Sequence, residues 1–161
     1  MTKERILDLV RGFDGILELA PAEGDDHPEI TWGDHFFYYA PDGQVPRREQ
    51  PYATIVTKDY PGDAGSALDA PGRWRLNVHV GRDAFTRLIG GPPHDATAST
   101  DLGETDVLFP HPVYGRQGWV AVVNPGERTT ATVIELLTRA HDDARRRSAR
   151  RKATRPSAPE R

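Results

Sequence analysis

His111 is the histidine whose place in the chain is most constrained, because it lies between two prolines in LFPHPVYGRQGW, residues 108–119. A residue before proline is driven out of the helical region, and proline fixes its own φ, so His111 is expected to be extended and rigidly held. A rigid imidazole could act as a general base, which needs a substrate proton within about 3 Å and a partner that orients the ring. It could also be structural, bonding a neighbouring strand and holding the loop before Trp119. The structural role is favoured, since the sequence identifies no orienting partner.

A second group of polar side chains lies along RWRLNVHV, residues 73–80, which alternates as a strand. Alternation places Arg75 and its polar neighbours on one face and the apolar residues on the other. The planar guanidinium of Arg75 suits a carboxylate or phosphate, which it binds through two parallel hydrogen bonds. Together with the aromatic strand TWGDHFFYY and the proline-rich loop, this face could line a cleft with apolar walls and a few polar groups. The candidate ligand-binding residues are His35 (or Asp34), Arg75, Asn77, His79, His111 and Tyr114.

The same residues also have a purely structural interpretation, in which Arg75 pairs with an acid such as Asp34 and the histidines bond backbone groups. No P-loop, G-x-G-x-x-G, H-E-x-x-H or G-x-S-x-G motif is present to favour a nucleotide-binding or hydrolase function. The chain has no cysteine, which excludes thiolate nucleophiles and cysteine-ligated metals. The loop GDDH, residues 24–27, offers ligands for a hard cation. Because such spacing arises readily in acidic loops, neither a metal nor a cofactor is predicted.

The elements that must position these groups can be read from the apolar pattern. Apolar residues at helical spacing predict helices over residues 2–13 and 81–90 and a last helix through Val133 and Leu137. Extended runs predict strands at residues 16–19, 30–40, 52–58, 73–80 and 119–123, whereas residues 91–105 are predicted to be loop. Because the strands are clustered, the predicted fold class is α+β, an antiparallel sheet backed on one side by the N- and C-terminal helices. The other face of the sheet is left open.

Charge divides the chain into an acidic body and a basic end. Residues 145–161 hold eight basic residues and one acid, a net charge of +7, so the whole-chain charge of −3 leaves about −10 on residues 1–144. Since this end has no large apolar residue, it cannot bury enough surface to offset its ordering entropy. The prediction is one domain at residues 1–144 and a disordered tail at 145–161. Nucleic acid is a predicted partner only through that tail.

The N-terminal segment MTKERILDLV carries charges inside its apolar pattern, which is wrong for a signal peptide. No run of residues approaches the roughly 18 apolar residues of a membrane span. A cytoplasmic protein without membrane contact is therefore predicted.

Three strings, TWGDHFFYY, RLNVHVG and PHPVY, resemble those of an uncharacterised bacterial domain family of unknown function, and the similarity runs over most of residues 4–144. That family is in turn similar to the MmcQ/YjbR-like group. The resemblance implies a small α+β fold with an antiparallel sheet and a C-terminal helix. A DNA-binding role has been suggested for that group, but the resemblance carries over no established activity, and the acidic body departs from a typical basic YjbR-like protein.

The sequence favours a binding module for a small ligand or a partner, with its cleft on the open sheet face and without an enzymatic reaction. The candidate small ligand is an anion. One alternative is a small hydrolase or metal-dependent enzyme that uses His111 with His35 or His79, and Arg75 for an anionic substrate. Another alternative is nucleic-acid binding through residues 145–161. The pattern does not indicate an oligomeric state.

Overall fold

A computed structural model describes residues 1–93 and 101–154. Within them the chain forms a six-stranded antiparallel sheet with three α-helices, which confirms the predicted α+β class. The predicted loop 91–105 lies in part outside the described residues, since positions 94–100 are not among them. Residues 155–161 of the predicted tail also lie outside them.

The strands are β1 (Ile16–Leu19), β2 (His35–Tyr39), β3 (Ala53–Val56), β4 (Arg75–His79), β5 (Leu108–Pro110) and β6 (Trp119–Val123). Their order across the sheet is β1-β2-β3-β4-β6-β5, so that the last strand along the chain lies between β4 and β5. In this register Arg75 is opposite Val123, and His79 is opposite Trp119. The arrangement brings the loop between β5 and β6 to the end of β4.

The helices are α1 (Lys3–Arg11), α2 (Arg82–Ile89) and α3 (Thr130–Thr154). The hydroxyl of Thr2 accepts a hydrogen bond from the amide of Arg5 and caps the start of α1. Helix α2 ends at Gly90, whose φ of +90° gives the left-handed conformation that glycine adopts without steric cost.

Helix α3 begins beside a carboxylate from the loop before β5. Asp106 accepts hydrogen bonds from the amides of Gly126, Arg128 and Thr129 and from the Thr129 hydroxyl. Burial on its own would raise the pKa of Asp106, but the hydrogen bonds from Thr129, Arg128 and Gly126 outweigh burial and lower that pKa to about 2. The carboxylate therefore stays ionised and fixes the turn from which α3 departs.

The main core lies between the helices and one face of the sheet. Apolar residues of β2, β3, β4 and β6 pack there against α1, α2 and α3; among its most completely buried members are Ile6, Val10, Phe37, Ile55, Phe85 and Leu137. A smaller cluster lies on the opposite face and consists of Val56, Leu68, Phe109, Ala121 and Val123. The alternation of β4 is as predicted, since Leu76 and Val78 belong to the main core while Arg75 and Asn77 face the other way.

Helix α3 continues through residues 145–154, which the sequence assigned to the tail. Its buried positions end at Ala144, so that these later turns extend beyond the main core. Among the described residues, no helix is both long enough and apolar enough to cross a membrane.

Candidate functional site

A cleft of about 440 Å³ opens on the sheet face opposite the helices. Its base is formed by polar side chains of β3 and β4, of the loop between them and of the loop between β5 and β6: Thr54, Asp63, Arg75, Asn77 and His111. Its walls are largely apolar and aromatic: Phe36, Tyr38, Pro51, Val56, Pro61, Val113, Tyr114 and Trp119. A mainly apolar cavity with a few converging polar groups is the usual form of a small-molecule site.

Arg75 lies at the base of this cleft with only 1% of its surface exposed. Its Nη1 donates to one carboxylate oxygen of Asp63 at 2.9 Å and its Nη2 to the other at 2.5 Å, which makes a bidentate pair. Nη1 also donates to Ser66 Oγ at 3.1 Å, and Nε donates to Asn77 Oδ1 at 2.8 Å. Asn77 in turn donates to Thr54 Oγ1 at 3.0 Å. The guanidinium is thus held in one orientation from three sides.

Asp63 neutralises the charge of Arg75 inside the site. Burial raises the pKa of Asp63, but the hydrogen bonds and the positive charge of Arg75 outweigh burial, so the pKa lies below its usual range. Both groups are therefore ionised at neutral pH and form one buried ion pair.

His111 has different surroundings at its two ring nitrogens. Nδ1 accepts hydrogen bonds from the backbone amides of Val113 and Tyr114, both at 3.0 Å. A nitrogen that accepts two N–H groups cannot itself carry a proton, so in the neutral ring the proton is on Nε2. Burial, followed by the positive charge of Arg75, lowers the pKa of His111 to about 4, against a smaller opposing effect of Asp63. The ring is therefore neutral at physiological pH.

The Nε2–H of His111 faces another donor. Arg75 Nη2 lies 3.4 Å from His111 Nε2. Because both nitrogens carry hydrogen, this contact is not a hydrogen bond between them. The two N–H groups instead form a pair of neighbouring donors at the base of the cleft, and an acceptor atom between them could bind both.

The loop that carries His111 is tightly closed. The His111 amide donates to the carbonyl of Trp119 at 3.0 Å, and the Gly115 amide donates to the carbonyl of His111 at 2.9 Å. At Gly118 the backbone has a φ of +85°, and a Cβ there would lie 2.9 Å from the carbonyl carbon of Gly81. A glycine is needed at this position because any side chain would collide with backbone.

Four of the six candidate residues meet in the cleft, and two do not. Arg75, Asn77, His111 and Tyr114 line it. His35 is on the helix-facing side of β2, where its Nδ1 contacts Glu18 Oε1 at 2.7 Å and its ring stacks on Phe37. His79 borders a neighbouring cavity and donates from Nε2 to the carbonyl of Gln117 at 3.1 Å.

Asp34, the acid that the sequence offered as a partner for Arg75, does not contact it. Its carboxylate is fully buried and accepts hydrogen bonds from the amide and hydroxyl of Thr57, from Lys58 and from Tyr60. Burial and the bond to Asp34 raise the pKa of the Tyr60 hydroxyl. Asp34 therefore ties the end of β3 to the start of β2.

Asp63 and Ser66 are site residues that sequence reasoning missed. Both lie in the segment between β3 and β4, which is rich in glycine, proline and aspartate and contains two other acids, Asp59 and Asp69. Each of these accepts a backbone hydrogen bond, Asp59 from the amide of Leu68 and Asp69 from the amide of Asp59. No spacing rule separates Asp63 from these nearby carboxylates. The only available signal was that a buried arginine requires an acid.

The loop GDDH does not form a metal site in the described residues. Asp25 accepts a hydrogen bond from the Ala22 amide at 2.9 Å and so closes its own turn. Within residues 1–93 and 101–154, no cluster of three or more histidine, aspartate or glutamate side chains could hold a metal ion.

Comparison with models of protein families matches residues 1–153 to a family described as "Family of unknown function (DUF6194)". No curated protein and no solved structure matches the chain. The matched range includes the cleft and nearly all of α3. The similarity to the MmcQ/YjbR-like group stays a prediction.

Proposed function

Because this chain belongs to DUF6194, a family whose function is unknown, we propose a function from the cleft itself: it binds a small molecule that has an apolar or aromatic body and a hydrogen-bond acceptor. The observation that carries the proposal is the pair of donors at its base, His111 Nε2–H and Arg75 Nη2–H, 3.4 Å apart. A carbonyl or carboxamide oxygen that enters the cleft would accept from both. The aromatic walls would cover the rest of the ligand.

The acceptor is expected to be uncharged rather than anionic. Both carboxylate oxygens of Asp63 accept hydrogen bonds from Arg75, and Ser66 and Asn77 accept from two further N–H groups of the same guanidinium. A ligand carboxylate here would lie close to the carboxylate of Asp63 and would be repelled by it. A neutral oxygen meets the same two donors without that repulsion.

Several features of His111 argue against the hydrolase alternative. A general base needs a free lone pair directed at the substrate. In His111 the lone pair of Nδ1 is occupied by two backbone amides, and Nε2 carries the proton. His35 and His79 are outside the cleft, so neither supplies the second histidine that this alternative requires. We therefore propose a binding module that acts in the cytoplasm.

The test is an NMR titration of the ¹⁵N-labelled full chain with benzamide, whose ring and neutral carbonyl match the cleft. We expect chemical-shift changes at the Val113 and Tyr114 amides and at the Trp119 indole N–H. His111→Asn should weaken binding about tenfold or more, because one well-placed hydrogen bond is worth about 1.4 kcal/mol in this range.

The matched control is His35→Asn, which changes the same side chain on the opposite face of the sheet. It should leave the benzamide affinity unchanged. Equal loss in both variants, or no shift changes in the cleft of the wild-type protein, would refute the proposal.

A further inference from the structure

A second cavity of about 280 Å³ adjoins the cleft near the end of β4. We call it the arginine pocket, after Arg48, Arg147 and Arg151, which line it together with His79, Gln50 and Gln117. Arg48 comes from the loop before β3, whereas Arg147 and Arg151 are one turn apart on α3. The pocket therefore forms where the last turns of the helix pass that loop.

The arginine pocket has excess positive charge. Arg151 pairs with Glu49, the one acid among the lining residues. Arg48 and Arg147 are in no ion pair within the described part of the chain. Burial and, after it, the charge of Arg147 lower the pKa of His79, although Asp143 acts in the opposite direction. Two guanidinium groups thus remain available to an anion.

Three other arginines of α3 differ from Arg147 because they pair with acids of their own helix. Arg139 pairs with Glu135, Arg145 with Asp142 and Arg146 with Asp143. Of the basic residues of α3 that are in no ion pair within the described part of the chain, Arg147 lines the pocket, whereas Arg150 and Lys152 do not. Planar guanidinium groups are well suited to phosphate, which they bind through paired hydrogen bonds.

The arginine pocket and the cleft share part of their lining. Gln50, Pro51 and Trp119 line both cavities, and the ring of His79 lies against Trp119 with ring centroids 5.6 Å apart and the planes tilted by 56°. A ligand that lies along Trp119 would therefore reach from the apolar cleft to the arginines.

We propose that the arginine pocket binds the phosphate group of a small phosphate ester whose apolar body occupies the cleft. This inference rests on the proposed function and adds the class of ligand to it. A small ester fits better than a nucleic acid, because residues 1–144 carry a charge of about −10 that would repel an extended polyanion. Pairing of Arg145 and Arg146 with aspartates further reduces the basic surface outside the pocket.

The experiment compares benzyl phosphate with benzyl alcohol by NMR titration of the full chain at fixed ionic strength. We expect benzyl phosphate to bind at least tenfold more tightly than the alcohol, with shift changes at both Trp119 and Gln117. Arg147→Ala should remove most of this difference. Arg145→Ala removes the same charge from the same helix outside the pocket, so it should leave the difference unchanged.

The outcomes separate the two proposals. If benzamide binds in the cleft but benzyl phosphate binds no better than benzyl alcohol, the inference is overturned and the proposed function stands. If benzamide fails to bind, the proposed function fails and the joint ligand fails with it, even where inorganic phosphate binds alone. If Arg145→Ala and Arg147→Ala weaken binding equally and a DNA duplex binds with steep salt dependence, the basic helix is a nucleic-acid surface and the pocket assignment is wrong.

Discussion

His111 has a structural role at one ring nitrogen and, in the proposed function, a binding role at the other. Nδ1 holds the amides of Val113 and Tyr114, whereas Nε2 faces the cleft. The proline on each side keeps the backbone extended, so both directions are set together. The structural role that the sequence favoured is thus carried by Nδ1, whereas the binding role of Nε2 belongs to the proposed function.

Replacing His111 by alanine and by asparagine should separate these tasks. His111→Ala leaves two amides without their acceptor and is expected to cost about 2–4 kcal/mol of folding free energy. Asparagine places its Oδ1 near the position of Nδ1, so His111→Asn should cost less than half as much. Urea denaturation of both variants provides the measurement, and equal losses would contradict the role given to Nδ1.

His111 should also make folding stability depend on pH. Its pKa is about 4 in the folded protein and near 6.5 when unfolded. The unfolded chain therefore binds a proton first as the pH falls, so stability is complete above pH 6.5 and decreases towards pH 4, by on the order of 3 kcal/mol. The free energy of unfolding of wild type relative to that of His111→Asn should therefore decrease as the pH falls from 6.5 towards 4, which denaturation of both proteins across this range would measure. A constant difference would show that folding does not change the pKa of the ring.

Arg75 is expected to be essential for folding, because it neutralises the carboxylate of Asp63 inside the site. Arg75→Leu leaves the Asp63 carboxylate unpaired in a largely buried site, which typically costs about 3–5 kcal/mol. The double variant Arg75→Leu with Asp63→Leu removes both charges and should recover most of this loss. Thermal denaturation of the single and double variants tests the coupling, and additive losses would argue against it.

At the scale of elements, α3 supplies much of the main core through one stripe. Leu137 is fully buried on it, while Ile134 is 38% exposed on another face. Leu137→Ala should destabilise the protein by about 2–5 kcal/mol because it leaves a cavity. Ile134→Ala, a control on the same helix, should change stability by less than about 1 kcal/mol. Chemical denaturation followed by circular dichroism measures both losses. A larger loss for Ile134→Ala than for Leu137→Ala would contradict the assignment of the buried face of α3.

Local patterns predicted the three helices and five of the six strands, but neither the short strand β5 nor all of the neighbours of each element. Alternation along β4 separated Leu76 from Arg75, because a strand turns successive side chains to opposite faces. It placed His35 on the face of Phe37, yet it could not tell which face of β2 would meet the helices. The partner of Arg75 depended on how a long loop folds back over the sheet, and no period in the sequence encodes the position of Asp63. The adjoining arginine pocket likewise depends on a contact between residues about a hundred positions apart.

At the scale of the whole molecule, the core and the arginine pocket use different parts of α3. The buried residues of the helix end at Ala144, and the pocket arginines follow it. A chain that ends at residue 144 should therefore fold with a similar melting temperature and bind benzamide, but lose the advantage of benzyl phosphate over benzyl alcohol. This truncation also tests the predicted domain boundary. Loss of folding would place the later turns of α3 inside the domain.

The two outer strands of the sheet bear on self-association. Strand β5 is three residues long and ends in Pro110, which has no amide hydrogen to offer an incoming strand. Strand β1 carries Glu18, which is held against the sheet by Arg11 and His35. Short edges, prolines and inward-directed charges all discourage pairing with another molecule. Both edges of the sheet therefore disfavour the addition of a strand from another molecule, which opposes fibril formation.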